Sequence, residues 1–215
     1  RISLAGLLIG LGLAVTAAAA RAPLSTRGAA LDRVVAVFND GVVLESAQQL
    51  ITRHIPPFTR EQQKAGLVKM IQDFNAEGMI AAKDPGIGPL KWELYKELLA
   101  EGRLTVRLFA LWAGPRALDE AAEVQARVDA NPRPPASLGD GMLFSGGVKM
   151  YMDGSGGART AWMHEDWNKN LNDVDTGNSG YPATPPDHYR TMATNFHNAG
   201  VHVSTHAIGD RAIRD

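Results

Sequence analysis

A lysine inside a short apolar segment is the first residue whose position demands a chemical explanation. Lys149 lies in residues 147–152, GVKMYM, which run into the glycine-rich sequence DGSGG. This pattern predicts a buried strand that ends at a loop. Because an unpaired buried ammonium costs on the order of several kcal/mol, Lys149 must pair, lose its proton or be modified. The nearby Asp153 is the candidate partner if it forms an ion pair.

A second apolar segment, VHVSTHAIGD at 201–210, ends in the same way with His206 and a Gly-Asp turn. Within a strand, His202 and His206 would face the same side but lie about 13 Å apart, so the two cannot hold one ion. We therefore expect a structural role for His202. The remaining histidines fall in predicted loops or helices and are expected to be solvated: His54, His164, His188 and His197.

The segments GVKMYMDGSGGART and HAIGDRA together resemble the amidohydrolase superfamily, specifically the amidohydrolase-3, or YtcJ-like, metal-dependent hydrolases. Four segments that come earlier in the chain occur in the order typical of that family: NDGVVLES, IPPFTREQ, GMIAAKDPG and GRLTVRLF. The resemblance covers residues 38–215. It implies that Lys149 is carboxylated and bridges two metal ions, and that His206 is a metal ligand.

The resemblance also implies a reaction, namely hydrolysis of a non-peptide carbon–nitrogen bond in a small-molecule amide or N-acyl compound. The implied cofactor is a divalent metal, zinc, which polarises the carbonyl and lowers the pKa of water toward about 7. Three further residues have two interpretations each. Asp210 either orients a metal ligand or caps the next helix. Asp153 and Arg159 either contact substrate or are charges of a solvated loop.

The sequence departs from the family pattern in its other metal ligands. Family members carry an HxH pair on the first barrel strand, a later histidine, and an aspartate on the last strand. The sequence contains no HxH, and it ends before the later two could appear. Since a catalytic zinc normally has three protein ligands, we expect an incomplete enzyme region that does not hydrolyse amides alone. The alternative is a noncatalytic secreted remnant or binding module on the same scaffold.

Helix-like and strand-like segments alternate along the chain. Predicted helices cover 59–77, 91–101, 117–130 and 188–199, and predicted strands cover 79–82, 104–112, 147–152 and 201–206. Residues 153–186 show no periodicity. This alternation predicts parallel βα units, either in a doubly wound sheet or in a barrel. The resemblance favours an α/β fold that is a partial TIM barrel of four to five βα units, with Asp84, Lys149 and His206 at one end of the sheet.

The amino-acid composition limits the class of protein and the kinds of ligand that it can bind. The chain has 215 residues, 45% hydrophobic and 21% charged, which is typical of a soluble globular protein. A net charge of -1 without basic runs argues against nucleic-acid binding, and the lack of cysteine excludes disulfides and thiolate metal sites.

The N-terminal residues have the pattern of a targeting segment. Residues 2–20 carry no charge and end in an alanine run before Arg21. This pattern is typical of a signal peptide, and a transmembrane anchor is the alternative. We expect a leader at 1–20, a linker at 21–37 and the barrel domain at 38–215. The expected location is secreted or periplasmic, with a cytoplasmic protein as the alternative, and membrane association only through an uncleaved leader.

Overall fold

The computed structural model describes residues 56–167 and 177–215. Residues from Pro57 to Asp215 form one compact unit. The expected leader, the linker and His54 lie outside the described residues. Within the described ranges, no helix has the length and apolar character needed to cross a membrane.

Helices and strands alternate along this unit, as the sequence predicts. In chain order they are α1 (Arg60–Ala76), β1 (Ala81–Ile87), α2 (Pro89–Ala100), β2 (Arg107–Ala113), a 3-10 turn (Leu118–Glu120), α3 (Ala121–Asp129), β3 (Leu143–Tyr151), α4 (Pro186–Asn198), β4 (Val203–His206) and α5 (Asp210–Arg214). The described parts of 153–185 contain no helix and no named strand, in agreement with their lack of periodicity.

The first helix begins at a capping box. The Thr59 hydroxyl accepts a hydrogen bond from the Gln62 N–H, and the Gln62 side chain accepts one from the Thr59 N–H. These bonds satisfy two backbone donors that a helix start would otherwise leave free. The inward face of α1 is centred on Leu67 and Ile71, which are buried.

The four strands form one parallel sheet in the order β1-β2-β3-β4, a curled half-barrel. One face of the sheet packs against the helices. Its buried side chains include Leu108, Ala110, Trp112, Leu143, Val148 and Met150, which meet Trp92, Tyr95, Leu98, Val128 and Phe196 from the helical layer. The prediction of a partial barrel of βα units is confirmed.

A bulge in β3 changes which residues face the helices. Ala110 of β2 pairs with Ser145, but the next residue, Leu111, pairs with Gly147, so Gly146 is extra. Before the bulge, Leu143 and Ser145 point toward the helices, whereas after it the even-numbered residues do. An extra residue shifts a strand's side-chain alternation by one position. Lys149 therefore lies on the face opposite the helices.

The strand β1 differs from its prediction. The apolar pattern predicts a strand at 79–82, with Asp84 in the loop beyond it, but β1 spans Ala81–Ile87 and includes Asp84. Met79 and Ile80 are exposed. The shift occurs because pairing with β2 continues through Asp84 and Pro85 and ends only after a second bulge at Gly86. Proline is tolerated in a strand when its missing N–H faces no partner.

A substitution at Gly147 tests whether the backbone after the bulge must approach β4 closely. It has a φ of 132°, and a Cβ atom added there would lie 2.1 Å from the His202 carbonyl oxygen. We expect Gly147→Ala to lower the free energy of unfolding by about 2–4 kcal/mol, because the backbone strain and the clash both oppose β3–β4 pairing. Urea unfolding followed by circular dichroism measures this difference.

The matched control is Gly157→Ala, where an added Cβ would meet no atom within 4 Å. That variant should change the unfolding free energy by less than about 0.5 kcal/mol. Equal effects of the two substitutions would show that close approach at Gly147 is not required.

Candidate active site

Lys149 and His206 lie on the same face of the sheet, near the carboxyl ends of neighbouring strands. Lys149 pairs with Ser204 in the ladder between β3 and β4, and Tyr151 pairs with His206. Paired residues of parallel strands face the same side, so Lys149, Tyr151 and His206 share the face opposite the helices. The sequence prediction that Lys149 and His206 lie at one end of the sheet is confirmed.

Tyr151 is the member of this group that sequence reasoning missed. The Lys149 ammonium nitrogen lies 5.1 Å from the centre of its ring, and the His206 ring centre lies 5.3 Å away on the neighbouring strand. Tyr151 is 45% exposed, so part of its side chain is accessible from the open face. The period-2 spacing of Lys149 and Tyr151 was the signal that could have indicated it.

Burial lowers the pKa of the Lys149 ammonium below its ordinary value. Partial removal from water disfavours the charged form, and among the described residues no carboxylate forms an ion pair with Lys149 to oppose this effect. The ion pair with Asp153 considered from the sequence is therefore not formed. Burial thus shifts the protonation equilibrium of Lys149 toward the neutral amine, which is the form that can react as a nucleophile.

His206 is held through one ring nitrogen. Its Nε2 lies 2.7 Å from the carbonyl oxygen of Gly154, in the loop that follows β3. Because a carbonyl oxygen can only accept a hydrogen bond, Nε2 carries the proton in this arrangement. The other ring nitrogen, Nδ1, then keeps the lone pair that a metal ion requires.

Asp153 joins the two loops that surround His206. Its carboxylate is 2% exposed and accepts hydrogen bonds from the backbone N–H groups of Trp162, Ile208 and Gly209, at 2.8–3.0 Å. Burial of a carboxylate requires such donors. In this structure Asp153 therefore fixes the loop after β3 against the segment after β4, and both of its oxygens are occupied.

Asp210 and Arg159 also make local backbone contacts. The Asp210 carboxylate accepts from the N–H groups of His164 and Arg211, and the first of these bonds is the main reason that its pKa is lowered. Asp210 is the first residue of α5, whose N-cap is Gly209 with no side-chain capping bond, so its carboxylate connects the His164 backbone to the start of the helix. Arg159 is half-buried, has a φ of 54°, and its carbonyl accepts from the Asn178 side chain.

Asp84 does not belong to the group, which corrects the prediction that it shares an end of the sheet with Lys149. It pairs with Ala110, whereas Lys149 pairs with Ala113, about 10 Å further along β2. Its side chain faces the helices, where the Tyr95 hydroxyl and the Lys91 ammonium each lie 2.6 Å away. Burial, and then this carboxylate, raise the pKa of Tyr95. Asp84 lies away from the end of the sheet because β1 continues beyond it to Ile87. Its side chain faces the helices because side chains alternate along β1, which the sequence did not reveal.

His202 lies away from His206, as expected. Its ring packs edge-on against Phe109, with 5.9 Å between ring centres. His202 is exposed overall, but partial desolvation of its ring, and then the nearby Lys83 charge, lower its pKa below the ordinary value. The expected structural role of His202 agrees with these contacts. His164, His188 and His197 are exposed.

The donors in the group are compatible with part of a metal site. Lys149, with its lowered pKa, and the Nδ1 of His206 face one side of the sheet. Across residues 56–167 and 177–215, no three His, Cys, Asp or Glu side chains are grouped to hold an ion. The described part of the chain thus offers two neighbouring donors, a modifiable amine and an imidazole.

The lowered pKa of Lys149 can be measured directly. We expect its side-chain nitrogen to titrate below the value of about 10.4 that is typical of free lysine, because the fold disfavours the protonated form. An NMR titration of the ¹⁵N-lysine-labelled chain, with the resonance assigned by its loss in Lys149→Arg, gives the midpoint. A midpoint at or above the free-lysine value would contradict the proposed effect of burial.

Comparisons with known proteins agree with this architecture. The sequence profile of the Amidohydrolase family matches residues 10–215. The fold is similar to an uncharacterized metal-dependent hydrolase from Pyrococcus horikoshii OT3, with 21% identity, a TM-score of 0.60, and coverage of 78% of this chain and 31% of that one. It is equally similar to one from Pyrococcus furiosus, with 23% identity, a TM-score of 0.60, and coverage of 78% and 32%.

The chain therefore spans about a third of the length of the two Pyrococcus structures. No curated protein matches it. Since the family profile matches nearly the whole sequence, from residue 10 to residue 215, the chain belongs to the Amidohydrolase family.

Proposed function

We propose that this chain is part of a metal-dependent hydrolase that cleaves the carbon–nitrogen bond of a small-molecule amide or N-acyl compound. The observation that carries the proposal is the placement of Lys149 and His206. They project from adjacent parallel strands onto one open face, and both lie beside the exposed Tyr151 ring. The carboxyl ends of parallel strands are where barrel enzymes assemble their sites.

The proposed cofactor is a divalent cation, zinc, held by Lys149 and by Nδ1 of His206. Zinc takes nitrogen and oxygen ligands, which suits an imidazole and a carbamate. When bound, such an ion polarises the scissile carbonyl as a Lewis acid. The two similar Pyrococcus proteins are metal-dependent hydrolases, which supports the choice of a metal.

Lys149 becomes a suitable ligand by carboxylation. The neutral amine attacks the carbon of carbon dioxide, the N–C bond forms as one C–O π bond opens onto oxygen, and one proton leaves the nitrogen, which gives a carbamate whose single negative charge is shared by two oxygens. Only the unprotonated amine has the electron pair for this step. The lowered pKa of Lys149 increases the fraction of that form at neutral pH.

Tyr151 is proposed to contact the substrate. Tyr151 is exposed, its ring centre lies 5.1 Å from the Lys149 ammonium nitrogen and 5.3 Å from the His206 ring centre, and a phenol can donate a hydrogen bond to a carbonyl oxygen. Its ring limits the access of water to Lys149 from one side. The side chain would thus orient a substrate carbonyl beside the cation.

The proposal predicts which residues contribute to zinc binding. In bicarbonate buffer, Lys149→Ala and His206→Ala should each weaken zinc binding at least about 10-fold, because each removes a proposed ligand. Isothermal titration calorimetry measures the affinity. The controls are Lys69→Ala on α1 and His197→Ala on α4, both at exposed positions on helices, and they should bind zinc like the unaltered chain.

Unchanged zinc binding in both Lys149→Ala and His206→Ala would reject the proposal. That outcome would favour the alternative expected from the sequence, a noncatalytic binding module on the same scaffold. Equal losses in the control variants would indicate nonspecific binding of zinc and would reject it as well.

A further inference from the structure

We propose that Thr160 is a positioning residue for His206 and that it acts through the peptide group between Gly154 and Ser155. The importance of this role for metal binding rests on the proposed function. The positioning itself does not, because it concerns the orientation and protonation of His206 in the metal-free chain.

The peptide group between Gly154 and Ser155 is bound at both of its polar atoms. Its carbonyl oxygen lies 2.7 Å from Nε2 of His206, and its N–H donates to the Thr160 hydroxyl oxygen at 2.9 Å. Rotation of this peptide plane would break both bonds together. The Thr160 hydroxyl therefore determines where the acceptor of the His206 proton points.

Thr160 is itself well placed for this role. It is 6% exposed, and its N–H donates to the Ser155 carbonyl at 3.0 Å. The fit against Gly154 is tight, since a Cβ atom added at residue 154 would lie 2.0 Å from the Thr160 hydroxyl oxygen. The turn from residue 154 to residue 160 is thus closed by the Thr160 side chain.

Asp153 keeps this turn at a fixed distance from His206. It precedes Gly154, and its carboxylate binds the N–H of Ile208, two residues after His206, at 3.0 Å. The turn and the histidine are therefore attached to each other at two points, through Asp153 and through the Gly154 carbonyl. The Asp153 bond fixes the backbone next to the histidine, and the Gly154 carbonyl holds the imidazole ring itself.

The expected consequence is a single protonation pattern for His206. The Gly154 carbonyl retains the proton on Nε2, which leaves Nδ1 unprotonated and directed to another partner. A partner on the far ring nitrogen that fixes the tautomer in this way is a common feature of metal-binding histidines. Loss of the Thr160 hydroxyl should release the carbonyl and then the ring.

The test is ¹⁵N NMR of the His206 ring in the metal-free, full-length chain at about pH 8.5, above the range in which histidines ordinarily titrate. In the unaltered chain we expect Nε2 to be protonated and Nδ1 bare. Thr160→Val, which keeps the shape but lacks the hydroxyl, should give averaged ring shifts. Thr160→Ser, which keeps the hydroxyl, should restore the original pattern. A protonated Nδ1 in the unaltered chain, or an unchanged ring in Thr160→Val, would overturn the proposal.

Two additional measurements cover other outcomes. If Thr160→Val does not fold, hydrogen exchange of the Ser155 amide in the unaltered chain decides, because its bond to Thr160 should slow exchange and fast exchange would refute the proposal. The second additional measurement is a zinc titration of the variants. Thr160→Val should bind zinc about 10-fold more weakly than Thr160→Ser. Failure of the unaltered chain to bind zinc at His206 would reject the proposed function, while the metal-free spectra would still decide the role of Thr160.

Discussion

In β3, Gly146 is an extra residue opposite β2, and the alternation of side chains changes phase at that point. Before the bulge, Leu143 and Ser145 are buried under the helices, and after it Val148 and Met150 are buried there. A regular strand would have turned Lys149 into the helical layer, where an ammonium would have displaced the core. The bulge is therefore what allows one strand both to complete the core and to present Lys149 on the open face.

The contacts at the carboxyl ends of β3 and β4 depend on this placement of Lys149. Tyr151 follows Lys149 on the same face and meets His206 of β4, while the loop beyond β3 returns to accept the His206 proton at Gly154. The buried Asp153 carboxylate fixes that loop by binding three backbone N–H groups. The site is thus built from one strand pair and one carboxylate anchor, and its geometry is set mainly by backbone groups.

Much of the fold could be predicted from the sequence, because capping, glycine stops and apolar segments are local signals. The capping box at Thr59 and the parallel βα order are examples. The direction in which side chains point was harder to predict from the sequence than the fold. Asp84 follows an apolar run, yet pairing with β2 keeps it within β1, facing Tyr95 and Lys91. Asp153 was a candidate for substrate contact, but its backbone partners lie up to 56 residues away in sequence and only folding brings them together.

In the proposed site, Lys149 and His206 bind one divalent cation. The most direct measurement is X-ray diffraction from crystals of the chain grown with zinc and bicarbonate, with data collected on both sides of the zinc absorption edge. We expect an anomalous peak about 2.0–2.1 Å from Nδ1 of His206 and bonded to a carbamate on Lys149. A zinc peak bound only by other residues, or an unmodified Lys149 with no peak beside His206, would contradict it.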